Sequence, residues 1–321
     1  MTAAWTLDAV TAAHAERMRG VDPLAAVGGI PETESGVLID AGAAVGVHKV
    51  IDTDPESVGA TWSELRRHNL SQIRLAGVDP AGEMRRLLAS WRERLADEPI
   101  PAHGESTAAL SWPSRDAEVV KVLRNSGFTP TAVLAARVSP SRPGPELDGV
   151  ALRAIESRDL DAVVALHEAL MRWDDNFGGA HWRTSTPARM RDFVAELIAS
   201  PSPRAWVAEV GGEVVGSCDV ELPESAGWAA AGVAVDPSRV AYIGTMSVMP
   251  GRRGGGVGTA LIAHVHRELE AMGVQLPILH YAPLNPLSTP FWLRAGYRPV
   301  TTTWKAQPHT VLHDDTAHAP R

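Results

Sequence analysis

Residues 251–261 read GRRGGGVGTAL, five glycines and two arginines directly ahead of an apolar run. Glycine loses more backbone freedom on folding than any other residue. A cluster this dense therefore belongs where side chains would obstruct something. Upstream, AYIGTMSVMP (241–250) reads as a strand closed by Pro250. Downstream, Val257, Leu261, Ile262, Val265 and Leu269 fall on one helical face, and Gly273 is a natural stop. The glycines thus occupy a strand-to-helix junction, where unsatisfied N–H groups and the positive end of the helix dipole converge. Bare backbone at that point lets a phosphate reach the amides, and Arg252 and Arg253 can add charge-assisted bonds. No Gly-Lys-Ser/Thr follows, so this is no P-loop. Leu261 stands where a dinucleotide fingerprint would need its third glycine.

The chain has 321 residues, enough for two ordinary domains. SPSRPGPELDG (139–149), with three prolines and two glycines, reads as the linker. VALRAIESRDLDAVVALHEALMRWDD follows it as a short strand (150–155), Ser157 as an N-cap and an amphipathic helix. An internal similarity supports two copies of one unit. Residues 110–137 and 279–306 both show a strand ending near an aromatic residue then Pro, a helix of about ten residues and a Gly-aromatic-x-Pro turn into a last strand. Asp116 precedes Gly127 by the same spacing as Asn285 precedes Gly296. The expected organisation is an α/β chain of two tandem units, each a central mixed β-sheet flanked by helices. They would span 1–143 and 149–306, with a flexible tail at 307–321. The first copy lacks the glycine run: around residues 73–91 a strand and an apolar-faced helix persist, but Arg85 and Arg86 follow the turn instead of preceding it.

Composition narrows the partners. A formal net charge of −8 argues against a general nucleic-acid binder and favours a cationic small molecule. No apolar run is long enough for a membrane span. The N-terminus lacks the pattern of a signal peptide, and the only cysteine, Cys218, excludes an internal disulfide and a Cys-rich zinc site. A cytoplasmic protein with no metal is expected.

Arg253-Gly254-Gly255-Gly256-Val257-Gly258 resembles the R/Q-x-x-G-x-G/A motif of the GNAT family, the Gcn5-related N-acetyltransferases. The resemblance extends from Val248 and Pro250 to Asn285-Pro-Leu-Ser288-Thr-Pro-Phe291-Trp292-Leu-Arg-Ala-Gly296-Tyr297, similar to the family's N-x-x-A-x-x-L-Y-x-x-x-G-F motif. It covers most of residues 150–305. In the first half it is confined to the last motif and a loose strand-helix order, so the chain resembles a tandem GNAT protein with one degenerate copy. The resemblance implies acetyl-CoA as cosubstrate. Gly254, Gly255, Gly256, Val257, Gly258 and Thr259, with Arg252 and Arg253, would hold the pyrophosphate. Met246, Ser247 and Val248 would pair with pantetheine, one of their N–H groups polarising the thioester carbonyl. Asn285, Ser288 and Trp292 would lie along the cofactor arm.

For the chemistry, His280 is the first choice of general base. It precedes Asn285 on the strand where several enzymes of this family carry a base, it alternates away from Leu279 and Tyr281, and imidazole titrates in the right range. The family's usual acid is a tyrosine where this chain has Trp292, whose indole cannot give up a proton at neutral pH. Tyr281, Tyr297, Ser288 or a water are the substitutes. Trp173, Asp174 and Asp175 in the loop MRWDDNFGGAHWR (171–183) offer acids and aromatic walls for a cationic acceptor, and Asp219 and Glu221 share one face of a strand as a second acidic site. The leading expectation is an acetyl-CoA-dependent N-acetyltransferase acting on a small-molecule amine by direct attack in a ternary complex, with a homodimer left open as its assembly. A non-catalytic acyl-CoA sensor and O- or thiol-linked acyl transfer of mycothiol-synthase type are the alternatives.

Overall fold

The computed structural model describes residues 5–32, 36–140 and 143–313. The first half runs α1 (Leu7–Val21), β1 (Val37–Asp40), β2 (Ala44–Asp52), β3 (Arg66–Leu75), α2 (Pro80–Leu95), β4 (Ser106–Pro113), α3 (Ala117–Asn125) and β5 (Thr129–Arg137). The second runs β6 (Val150–Ala154), α4 (Leu160–Asp174), α5 (Thr186–Ala199), β7 (Ala205–Val210), β8 (Glu213–Glu221), α6 (Gly227–Ala230), β9 (Val240–Val248), α7 (Val257–Ala271), β10 (Leu276–Tyr281), α8 (Ser288–Arg294) and β11 (Tyr297–Ala306). The order β3-α2-β4-α3-β5 recurs as β9-α7-β10-α8-β11, and the sequence similarity of 110–137 with 279–306 falls in its second half, from β4 and β10 onward.

Two compact units form, and their membership differs from the sequence expectation. Unit 1 holds Met1–Asp54, Ser63–Val133 and Pro299–Arg321, and unit 2 holds Pro55–Trp62 and Leu134–Arg298. The chain therefore passes from one unit to the other inside β5 and again near the start of β11, and not in the Pro-rich stretch, whose Ser141 and Arg142 lie outside the described residues. The reason is strand pairing. β11 runs antiparallel to β4 from Thr301↔Pro113 to Ala306↔Ala108, which carries Trp304 and Ala306 into the core of unit 1. Residues 307–313, expected to be part of a free tail, instead include a 3₁₀ turn (His309–His313) with His309 and Leu312 buried. The rest of that tail lies outside the described residues.

Unit 1 orders its strands β1-β2-β3-β4-β11-β5. Its core is built on α2, whose Met84, Leu87, Leu88, Trp91 and Leu95 form one buried stripe at helical spacing. Asp79 caps that helix by accepting the Gly82 N–H at 2.9 Å, with Pro80 in the first turn.

Unit 2 orders its strands β5-β10-β9-β8-β7-β6. α4 packs Val163, Val164 and Leu166 against Val194 of α5 and Val207 of β7. Ser157, the expected N-cap, instead opens a 3₁₀ turn, and the Asp159 carboxylate reaches back to the Glu156 N–H at 2.8 Å. α7 buries Val257, Leu261, Ile262, Val265 and Leu269, the face read from sequence. Among the described residues no helix is long and apolar enough to cross a membrane.

Both units bury histidines. In unit 1 burial, aided by Arg74 and Arg17, holds His14 down to about 3, and burial beside His309 and His48 holds His68 down to about 4. In unit 2 burial lowers His266 to about 3, and His167 and His280 to about 4. A histidine kept neutral by the fold contributes stability above its unfolded pKa of about 6.5 and loses it as pH falls towards the folded value. Asp174 and Asp219, raised to about 6 and about 7 chiefly by burial, act in the opposite sense. Five histidines outweigh two carboxyls in that window. The melting temperature is expected to fall steadily from pH 6.5 to pH 4.5 in scanning calorimetry; a flat profile would contradict the burial of these rings.

Candidate active site

The site begins with a mismatch between β8 and β9. Their antiparallel register runs Gly216↔Val248, Ser217↔Ser247 and Cys218↔Met246, then resumes at Val220↔Ile243 and Glu221↔Tyr242. Between Met246 and Ile243, β9 carries one residue more than β8, a β-bulge at Gly244–Thr245. On its other side β9 runs parallel to β10, from Leu276↔Val240 to Leu279↔Ile243. β9 then continues to Val248, whereas β10 ends at Tyr281. The sheet opens at the bulge, leaving the edge of β9 beyond it to another partner.

That edge leads into the glycine loop. Pro250–Arg252 form a 3₁₀ turn, and Gly254 and Gly256 adopt φ of 82° and 86°, a left-handed backbone that side chains resist. Gly256 is the N-cap of α7 and supplies no side-chain acceptor, so the first-turn amides of the helix point into the loop uncapped. A Cβ on Gly258 would meet Phe291 at 3.4 Å and Val248 at 3.5 Å, ordinary contact distances that place the helix start beside β9 and α8.

A cavity of about 410 Å³ follows this edge. β9 contributes Met246, Ser247 and Val248; the loop and helix start contribute Arg253, Gly254, Gly256, Gly258 and Thr259; Asn285, Ser288 and Trp292 close it from the α8 side. These are eleven of the fourteen cofactor residues expected from sequence. Of the other three, Val257 is buried beside Ala208 and Val215, and Arg252 and Gly255 stay on the exposed loop outside the lining. Leu170, Leu287, Phe291 and Arg294 join the lining without having been singled out. The hydroxyls of Ser247 and Ser288 are buried and without a hydrogen-bond partner. Buried hydroxyls ordinarily find one, so a polar ligand running along β9 fits this wall.

Asn285 turns out to be a connector. Its Oδ1 accepts the N–H groups of Leu287 (2.9 Å) and Ser288 (3.2 Å) and the Trp173 indole N–H (3.3 Å), and its Nδ2 donates to Asp174 at 2.7 Å. Its side chain caps α8 and ties it to α4, with one Nδ2 hydrogen beyond the bond to Asp174. Trp173, expected on the acceptor side, lines the same cavity as Met246–Val248 and Asn285. Asp174 is engaged with Asn285, and burial, opposed by that bond, raises it to about 6. Asp175 alone of that acidic pair remains exposed.

His280 stands just past the last paired position of β10, outside the cavity lining. Its ring lies parallel to Trp228 within 10° at 6.0 Å, and its Nδ1 is 3.3 Å from the Tyr242 hydroxyl. The Trp228 indole donates to Glu221 at 2.8 Å while remaining 59% exposed. Trp228 and Tyr242 were not among the sequence candidates: the cluster joins side chains from β8, α6, β9 and β10, a juxtaposition that has no period in sequence. Glu221 and Asp219, expected from sequence as a second acidic site on one strand face, differ in exposure: Glu221 bonds the Trp228 indole of this aromatic cluster, whereas Asp219 is 2% exposed. Burial, with Glu221 nearby, drives the Asp219 carboxyl up to about 7.

The substitute acids also sort themselves. Tyr297 is buried with its hydroxyl 2.8 Å from His266. Tyr281 is buried, raised by burial, and outside the lining. Ser288 alone of the three lines the cavity. Trp292 packs edge-to-face on Tyr297 at 5.3 Å and on Phe291 at 4.9 Å. The Cys218 thiol is fully buried and pushed up, hence inert. Among the described residues no cluster of three or more His, Cys, Asp or Glu forms a metal site.

Unit 1 repeats the frame and closes it. β3 carries the same kind of bulge, between Ser71 and Arg74, with Gln72 at φ 50°. In the turn leading to α2, however, the buried Glu83 carboxylate accepts the N–H groups of Gly77 (2.8 Å), Val78 (3.1 Å) and Asp79 (3.2 Å). The amides that a phosphate would need are already occupied by an internal anion.

Residues 167–297 match the model of the Acetyltransferase (GNAT) family. No curated protein matches the chain. Among solved structures, a GCN5-related N-acetyltransferase from Sphaerobacter thermophilus is 16% identical, with 82% of this chain and 76% of that one covered at a TM-score of 0.52, a likeness of fold. A GNAT-family acetyltransferase from Colwellia psychrerythraea is 12% identical over 82% and 80% of the two chains, with a TM-score of 0.48. One from Kribbella flavida is 15% identical over 96% and 99%, with a TM-score of 0.43.

Two calorimetric outcomes are expected. Coenzyme A should bind with one site per chain, because Glu83 fills the corresponding turn of unit 1. Gly256→Val should weaken it about tenfold to a hundredfold, the cost of forcing a side chain into the left-handed region.

Proposed function

Since this chain belongs to the GNAT acetyltransferase family through residues 167–297, we propose that unit 2 transfers an acetyl group from acetyl-CoA to the primary amine of a small molecule, by direct attack in a ternary complex. The observation that carries this reading is the continuity between the uncapped amides of Gly254–Gly258 and the open edge of β9. Acetyl-CoA supplies the acyl group already activated as a thioester. The loop amides and Arg253 hold its diphosphate, an arrangement favoured by the helix dipole. The residues Met246–Val248 pair with the pantetheine through main chain. The Ser288 hydroxyl, buried and unpartnered, donates a hydrogen bond to the departing sulfur.

On the acceptor side, Glu221, Trp228, Tyr242 and His280 gather one carboxylate and three rings, a combination suited to an ammonium group. Burial keeps His280 neutral at pH 7. With Nδ1–H donating to the Tyr242 hydroxyl, Nε2 is left as the basic atom that takes the amine proton. Asp175, exposed at the end of α4, adds negative potential to the approach.

The second reading is a non-catalytic acyl-CoA binder, favoured by Trp292 at the position where the resemblance expects an acid. Release of CoA measured against a panel of primary amines, amino acids and aminoglycosides separates the two. Turnover on at least one amine is expected, and thioester binding with no turnover on any of them would favour the binder. His280→Ala should lower kcat about 10²- to 10⁴-fold and Ser288→Ala about tenfold, each leaving acetyl-CoA affinity within about twofold of the wild type. An H280A enzyme of unchanged kcat would remove His280 from the mechanism.

A further inference from the structure

The reading above leaves Asp219 without a task. This carboxyl lies on β8 opposite the bulge, and its Oδ1 accepts the Thr245 N–H at 3.1 Å. In unbroken antiparallel pairing, a β8 carbonyl would serve that amide. At the bulge, two steps of β8 face three of β9, so the carbonyl count falls short by one. Asp219 also requires the bare Gly244, because a Cβ there would collide with its Oδ2. From α4, His167 approaches it at 3.5 Å; Glu221 and Cys218 on β8 and Tyr242 on β9 are further titratable groups in its field.

The amide phase of β9 gives this contact its meaning. Successive N–H groups of a strand point to opposite edges. Thr245 directs its N–H to Asp219 on the β8 side, and Met249 directs its N–H to the Val215 carbonyl at 2.8 Å, again on the β8 side. Met246 and Val248 therefore turn their N–H groups to the opposite edge, which β10 has vacated. Moving the bulge by one residue would reverse that phase and turn the Met246 amide away from the cavity.

We propose that Asp219 is a positioning residue for acetyl transfer: by standing in for the missing β8 carbonyl it pins the bulge at Gly244–Thr245, so that the Met246 N–H is presented to the thioester carbonyl. The catalytic half of this inference rests on the function proposed above; the structural half does not. Asp219 touches neither substrate. It needs an acceptor oxygen and no charge, so asparagine should replace it.

The test compares the wild type with Asp219→Asn, Asp219→Ala and Gly244→Ala in the full chain. In ligand-free protein, amide hydrogen exchange at Thr245 should be slow in the wild type and D219N. It should be about tenfold faster or more in D219A, and likewise in G244A, where the new methyl displaces the carboxyl. G244A reports on the same contact should D219A not fold. With acetyl-CoA labelled with carbon-13 at the carbonyl and added to saturation, the bound shift of the wild type should be retained in D219N and lost in D219A. Wild-type protection of Thr245 in both D219A and G244A, or a wild-type carbonyl shift in D219A, would overturn the proposal. Failure of the wild type to bind any CoA thioester would overturn the acetyltransferase reading and the catalytic half with it; exchange at Thr245 would then still decide the structural half.

Discussion

Everything at the site follows from a pairing that stops early. β9 and β10 keep parallel register only as far as Ile243↔Leu279, and β9 then runs on with its outer amides released. Unpaired strand edges are costly in a folded protein and are normally covered. In the proposed function the cover is a ligand that can itself accept and donate along an extended backbone. The glycine loop sits at the far end of the same edge, so the group that satisfies the strand is also the group anchored by the helix. In that proposal, recognition of the cosubstrate and orientation of its reactive end are both consequences of one interruption in a sheet.

Unit 1 shows what the same frame becomes when its vacancies are filled from within. Three turn amides are satisfied by Glu83. Asp116 corresponds to Asn285 in the motif, and it binds Arg17 of α1 at 2.6 Å and the Trp112 indole at 2.8 Å. Neutral Asn285 can accept and donate at once, which lets it bridge Asp174 and two backbone amides; a carboxylate in that place only accepts, and has recruited an arginine. Arg74 follows the β3 bulge as Met246 follows that of β9, and its buried guanidinium donates to the Ile73 and Gly29 carbonyls. The two units differ less in their scaffold than in whether the scaffold's polar groups are answered by the chain itself.

What could be read from sequence was local. The glycine loop, the buried face of α7 and the Asn285 motif declare themselves through helical period and turn chemistry, which act over a few residues. The connection of Asn285 to Trp173 and Asp174 spans more than a hundred residues and leaves no periodic trace. Asp219 was misjudged for a related reason. Alternation correctly put it on the face of Glu221, but whether that face meets solvent depended on α4, whose His167 closes over one carboxyl and not the other. The extra residue in β9 was invisible too, since a bulge is a relation between two strands. The exchange of β11 is of the same kind: its alternating Val300, Thr302, Trp304 and Ala306 announce a half-buried strand, but not whose sheet it completes.

That exchange bears on how the protein is made. In unit 1, β5 reaches β4 only through β11, and the Trp304, Ala306 and Leu312 side chains of its core are translated after the whole of unit 2. Chains generally fold domain by domain from the N-terminus as they emerge. In this chain unit 1 cannot close until the residues that follow unit 2 have been made, and it holds an open seam between two of its strands until then.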